Sequence, residues 1–325
     1  MKRIILMAAC VFLSLQAHAI EIRTLGLVPI DPINDYWIDD SKILYIPWFR
    51  QNELRVFDLA SWQDKEFLHE DNISTWNLDR IFNPINNQKG RYLHISFARV
   101  DSWNFEGAVI ETLNAVFIPV PNTEFTFPEK MSAYGISKQD DGVRVAVLDV
   151  FADRLTSYTI PWSSFKGINS EKERLNPLKF QDYDPETGKV TISYEQEGIA
   201  NSYTHYTANI IGGKLENIKL MFVDDVGEPR YGYSNQMWIL KNGLYLTGKY
   251  THTIKERDNS YHYATLFIVD SDGKEIYEYP DFLLRMDDEN FFRLSPDRTK
   301  ILLWGTYLKD DKPGEATYML EIDYD

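Results

Sequence analysis

Apolar positions along this chain fall in short runs or alternate with polar ones, and nowhere do they recur at helical spacing. One arrangement returns several times. A short apolar or aromatic stretch meets a polar turn and gives way to a longer alternating stretch. It is seen in "YWIDDSKILYIPW" from Tyr36, "LKFQDYDPETGKVTISY" from Leu178, "YSNQMWILKNGLYLTGKY" from Tyr233 and "FFRLSPDRTKILLW" from Phe291. The turns between the runs are built from Asp, Pro, Asn, Ser and Gly, residues that bend the chain or hydrogen-bond back to it. A second arrangement follows: an apolar stretch ending in Asp, a tight turn and another strand. Examples start at Leu54, Val143 and Thr265, the last with a Ser271-Asp272-Gly273 turn suited to a hairpin.

Together the two arrangements make a unit of four antiparallel strands. Counting less regular copies at Gly107–Val120 and Tyr206–Leu220 yields six units of roughly 40–60 residues, the length of a four-stranded blade. The expectation is an all-β fold, a β-propeller with six blades and seven as the alternative. The last unit runs out of chain at Asp325, one strand short. "IEIRTLGLVP" from Ile20 is a spare strand and is expected to complete that blade, which would cover its open edge.

The Ser295-Pro296-Asp297-Arg298 turn and its flanking strands resemble the repeat of TolB-type periplasmic propellers, in which S-P-D-G precedes a buried strand. Arg298 stands here in place of the glycine. The resemblance covers this unit closely and implies the fold, with no particular activity. An Asp-box turn, the other reading, wants Gly two residues after the Asp and an aromatic soon after. Thr299 stands at that position and Trp304 lies too far on, so the turn reads as a hairpin corner.

The first residues change the compartment. Lys2 and Arg3 precede an apolar run, Ile4 to Leu15, and Ala17-His18-Ala19 forms an A-x-A cleavage site. Residues 1–19 are read as a signal peptide and 20–325 as a single propeller domain, exported to the periplasm or beyond. Losing the leader removes the only cysteine and moves the formal charge from −15 to −17 as Lys2 and Arg3 depart. Such a chain has no thiol chemistry. It repels nucleic acid, and no later run is long and apolar enough to span a membrane as a helix.

No G-x-S-x-G, H-E-x-x-H, P-loop or G-x-G-x-x-G is present. No catalytic residue, metal ligand set or cofactor is therefore assigned. "DYDPETGK" from Asp182 misses the calcium-loop spacing, since Gly188 is seventh rather than sixth and the twelfth place lacks a glutamate. Carboxylates are abundant, yet spacing along the chain does not say which would meet across a channel.

Candidate binding residues come from loop length. First-to-second and third-to-fourth turns share one face of a propeller and read as short. The other connections read as longer, and long loops carry binding residues. On that second face Trp76 and Trp103 are suited to stack on a sugar or anchor a protein; rim packing is the other reading. Arg99 and Asp101 flank a strand end beside Trp103 and would read a polar ligand or pair with each other. His252 and His262 would face each other in a hairpin centred on Arg257, a pair able to hold a transition metal or simply two polar loop residues. The function expected is a binding or scaffold module for an envelope protein. The alternatives are a carbohydrate-binding or glycosidase-like propeller and a calcium-dependent small-molecule hydrolase.

Overall fold

The computed structural model describes residues 20–30, 32–47, 49–77, 92–100, 105–111, 116–120, 125–129, 132–149, 154–167, 178–184, 186–195, 203–223, 233–256, 259–279, 284–285, 292–307 and 314–324. Their regular structure is almost entirely antiparallel β. β1 (Glu21–Val28) precedes a first sheet of β2 (Pro32–Asp39), β3 (Lys42–Pro47), β4 (Glu53–Asp58) and β5 (Gln63–His69). A second sheet has β6 (Ile73–Asn77), β7 (Tyr92–Arg99), β8 (Phe105–Glu111) and β9 (Val116–Val120). The third has β10 (Phe125–Glu129), β11 (Ser132–Gln139), β12 (Gly142–Asp149) and β13 (Arg154–Pro161), and the fourth β14 (Leu178–Asp184), β15 (Lys189–Glu195), β16 (Tyr203–Ile211) and β17 (Lys214–Val223). In the fifth, β18 (Tyr233–Ile239), β19 (Tyr245–Glu256), β20 (Asn259–Val269) and β21 (Glu275–Glu278) follow one another, and β22 (Leu284–Arg285) also pairs with β20. The sixth sheet is β23 (Phe292–Leu294), β24 (Lys300–Tyr307) and β25 (Gly314–Asp323), with β1 added outside β25. The result is all-β and propeller-like.

The N-terminal strand pairs as its sequence suggested. Ile22 lies opposite Ile322 and Val28 opposite Thr317, with a bulge at Leu25. Ile22 and Val28 are buried while Leu25 and Leu27 are exposed, the alternation of an outer strand with one face covered.

Burial falls from first strand to last within a sheet. β3 reads iBBBBi, β14 BiBBBBi and β23 BBB, whereas β5 and β21 are largely exposed. Inner strands are covered on both faces by neighbouring sheets, which explains their near-continuous apolar runs. The clusters between sheets follow the same logic. Val143, Val145, Phe180 and Ile192 join the third sheet to the fourth, and Met221 meets Met237 between the fourth and fifth. Leu246 and Leu266 of the fifth sheet pack on Leu303 and Leu320 of the sixth. Leu302 and Met319 of the sixth sheet pack on Trp37, Ile43 and Phe57 of the first.

Polar groups on the inner strands tie the sheets further. Thr191 Oγ1 donates to the Met237 carbonyl at 2.6 Å, and Gln236 Nε2 donates to the Phe292 carbonyl at 3.0 Å. Among the described residues no helix is long and apolar enough to cross a membrane.

Candidate functional site

The Ser295–Arg298 turn between β23 and β24 is built around Asp297. Asp297 accepts from Ser295 Oγ at 2.6 Å, Thr299 N at 3.1 Å and Thr299 Oγ1 at 2.7 Å. Lys300 N donates to Ser295 Oγ at 2.8 Å. Arg298 sits where the repeat has glycine, and its φ of 63° is the left-handed conformation that glycine takes freely. A non-glycine residue there costs roughly 1–2 kcal/mol.

The guanidinium of Arg298 reaches across to the fourth sheet. Nη1 bonds Asp182 Oδ2, and Nη2 donates to the Tyr183 carbonyl at 2.7 Å. Asp182 is fully buried. Its carboxylate also accepts from Tyr183 N and, on the fifth sheet, from Ile239 N, both at 2.8 Å. The first sheet joins through Asp40, whose Oδ1 accepts from Asp297 N at 2.9 Å and whose carbonyl accepts from Lys300 Nζ at 3.4 Å. Tyr324 Oη donates to the Arg298 carbonyl at 2.5 Å. The hairpin corner is therefore also a strut that ties the first-to-second ends of four sheets.

Burial pushes the Asp182 carboxyl above the ordinary aspartate range, and Arg298 draws it part of the way back. Burial also raises Asp40, helped by the charge of Asp297. For Asp297 burial acts upward as well, but the Ser295 and Thr299 hydrogen bonds outweigh it and the value is lowered.

Of the residues singled out from sequence, Arg99, His252 and His262 lie toward the other face, and Trp76 lies toward the first-to-second end of its sheet. Trp76 lies within β6, opposite Phe97, because only residues 70–72 separate β5 from β6. It is a strand residue rather than a loop residue. Arg99 ends β7, opposite Ile73. Asp101 and Trp103 lie outside the described residues, as do residues 1–19, read from sequence as a leader. The two histidines are not cross-strand partners: His252 pairs with Tyr263, and His262 with Thr253. The hairpin leaves two residues between Glu256 and Asn259, so its centre falls half a residue beyond Arg257 and the pairing slips by one.

Loop length does not separate the faces as cleanly as expected. The connection 78–91, between β6 and β7, belongs to the first-to-second set, while β11 and β12 are joined in the opposite set by Asp140 and Asp141 alone. Exposed large apolar side chains stand on both faces, Trp62 and Ile211 on the strut side. Phe49, between β3 and β4, is 87% exposed, and Val100, just after β7, is 61% exposed. Both stand in second-to-third connections, and Val100 shares its connection with Asp101 and Trp103. On the strut side Trp62 is also exposed but rests edge-on against Phe57. Phe49 was missed in the sequence because it adjoins the apolar run of β3 and reads as its continuation.

No protein-family model matches this sequence, and no curated protein matches it. Solved structures do. TolB from Acinetobacter baumannii is 10% identical, with a TM-score of 0.46 over 83% of this chain and 59% of its own. A member of the DUF4221 family from Bacteroides vulgatus is 11% identical, with a TM-score of 0.50 over 95% of this chain and 99% of its own. An oligogalacturonate lyase in complex with manganese is 10% identical, with a TM-score of 0.47. The resemblance is one of fold. The chain spans 59% of TolB's length.

Proposed function

We propose that residues 20–325 form one exported propeller of six blades, closed by pairing of β1 with β25, and that it serves as a binding module. The ring closure is supported by the apolar cluster between the sixth and first sheets. Export rests on the leader pattern of residues 1–19, and the compartment is the periplasm or beyond. The partner is an envelope protein, and the docking face is the one opposite the Asp182–Arg298 strut.

One observation carries this reading: large apolar side chains, Phe49 and Val100, stand exposed in connections of that face. Exposed aromatics in a polar surround are the usual anchors of protein interfaces. Arg99, Asp101 and Trp103 border Val100 along the chain and would supply the polar rim and a second anchor.

The test is affinity capture from an envelope extract with purified chain and variants. Phe49→Asp and Trp103→Ala are expected to abolish recovery of a stoichiometric protein, and Trp62→Ala on the strut side to leave it intact. Undiminished capture by both face variants would overturn the assignment.

A further inference from the structure

The outer half of the first sheet holds a different kind of site. Glu53, at the start of β4, lies opposite His69, at the end of β5. Between them the register slips: Leu54 faces Leu68, but Arg55 faces Glu66. Phe67 is the extra residue of a bulge. It moves Glu66 onto the face shared by Glu53, Arg55 and His69, where strict alternation would have turned it away. One oxygen from each glutamate and one ring nitrogen of His69 then lie within 4.8 Å of one another.

The histidine is oriented from behind. Its Nε2 is 2.9 Å from Asp71 Oδ1, and its Nδ1 is 3.9 Å from Glu53 Oε1. A carboxylate on Nε2 fixes that nitrogen as the donor and leaves the Nδ1 lone pair toward the glutamate. This is the outer-shell arrangement that supports metal-binding histidines. Ligand atoms about 2.0–2.2 Å from a tetrahedral ion stand roughly 3.3–3.6 Å apart, so donors spread over up to 4.8 Å close on an ion after a small side-chain movement.

Glu53 is buried and already faces two cations. Arg55 Nη1 holds Oε2 at 3.2 Å and its Nε is 2.9 Å from Asp64. Arg50 Nη1 holds Oε1, also at 3.2 Å, but its side chain is 65% exposed. Arg55 thus steadies the carboxylate, while Arg50 covers the oxygen turned toward His69 and is free to swing into solvent.

We propose that Glu53, Glu66 and His69 form a binding site for a divalent metal of Zn²⁺ type. Asp71 is a positioning residue, Arg50 is a displaceable placeholder, and a fourth coordination position is open to water or to a donor atom from a partner. The mixed imidazole and carboxylate donors suit Zn²⁺ better than Ca²⁺ or Mg²⁺.

Titration calorimetry of the purified full chain with Zn²⁺ tests this, with Co²⁺ absorbance as a second readout of a nitrogen–oxygen site. The expected result is one ion per chain, lost in His69→Ala and weakened in Glu66→Gln. Asp71→Asn should weaken affinity about 10–100-fold, and Arg50→Ala should tighten it. Thermal melting checks that each variant is folded. Absence of binding, or binding of equal affinity in His69→Ala, overturns the proposal; so does an Arg50→Ala variant that binds more weakly.

Discussion

Arg298 and Asp182 show what one residue contributes to this molecule. Arg298 tolerates a left-handed backbone, and its side chain satisfies a carboxylate buried two sheets away. Truncating it leaves that carboxylate without its cation. Arg298→Ala should destabilise the fold by about 3–5 kcal/mol, the usual cost of breaking a buried pair on one side. Arg298→Gly should lose less, because glycine relieves the backbone strain. The double variant Asp182→Asn with Arg298→Gly should recover part of the loss, and urea midpoints will order the series.

Two carboxyls of the strut, Asp182 and Asp297, set opposing pH slopes. Asp182 has a raised carboxyl, so the folded state holds its proton more tightly. Its contribution is complete below the unfolded value of about 3.9 and is lost as pH rises through the raised folded value. Asp297 is lowered, so its contribution is present above about 3.9 and is lost as pH falls through its folded value. In urea midpoints taken from about pH 3 to pH 7, Asp182→Asn should remove a loss on the alkaline-going side. Asp297→Asn should remove one on the acid-going side.

At the scale of elements, turn chemistry was the most legible feature. Apolar strands ending in Asp do so because the carboxylate caps the next turn. Asp58 accepts from Ala60 N at 2.8 Å, and Asp270 accepts from Asp272 N at 2.8 Å and Lys274 N at 3.0 Å. Backbone hydrogen bonds, from Ser61 and Ala60 to Asp58 and from Lys274 and Asp272 to Asp270, hold both carboxyls below the ordinary range. Register was less legible. Period-2 alternation locates a strand, but a one-residue difference in a turn moves every partner, as His252 and His262 show. The bulge at Phe67 is the same effect put to use.

The outer strand β1 depends on long-range pairing and should be sensitive. Ile22 is buried against Leu320 and Ile322 in the cluster joining the fifth and sixth sheets. Ile22→Ala is expected to cost about 2–4 kcal/mol by denaturant unfolding. Deleting Glu21–Val28 should leave β25 as an open edge and make the chain aggregate; a deletion variant that stays monomeric and melts like the parent would contradict this.

For the whole molecule, the two faces differ in what their side chains are used for. One gathers Asp40, Asp182, Asp297 and Arg298 into ties between sheets. The other leaves Phe49 and Val100 in solvent. Partner capture should therefore respond to Phe49→Asp without loss of melting temperature, whereas Arg298→Ala should lower the melting temperature before it affects capture. Measuring both on the same variants separates binding from stability.

The sequence by itself determined the strand-forming runs, the aspartate-capped turns, the spare N-terminal strand and the acidic charge. These depend on local geometry and composition, which a linear pattern records. Only the tertiary structure decided that Asp182 belongs with Arg298, that Trp76 lies in a strand, that Glu66 turns toward His69 and which apolar residues stand exposed. Those outcomes depend on which sheets meet and in what register. Contacts between residues more than a hundred positions apart leave no periodic trace along the chain.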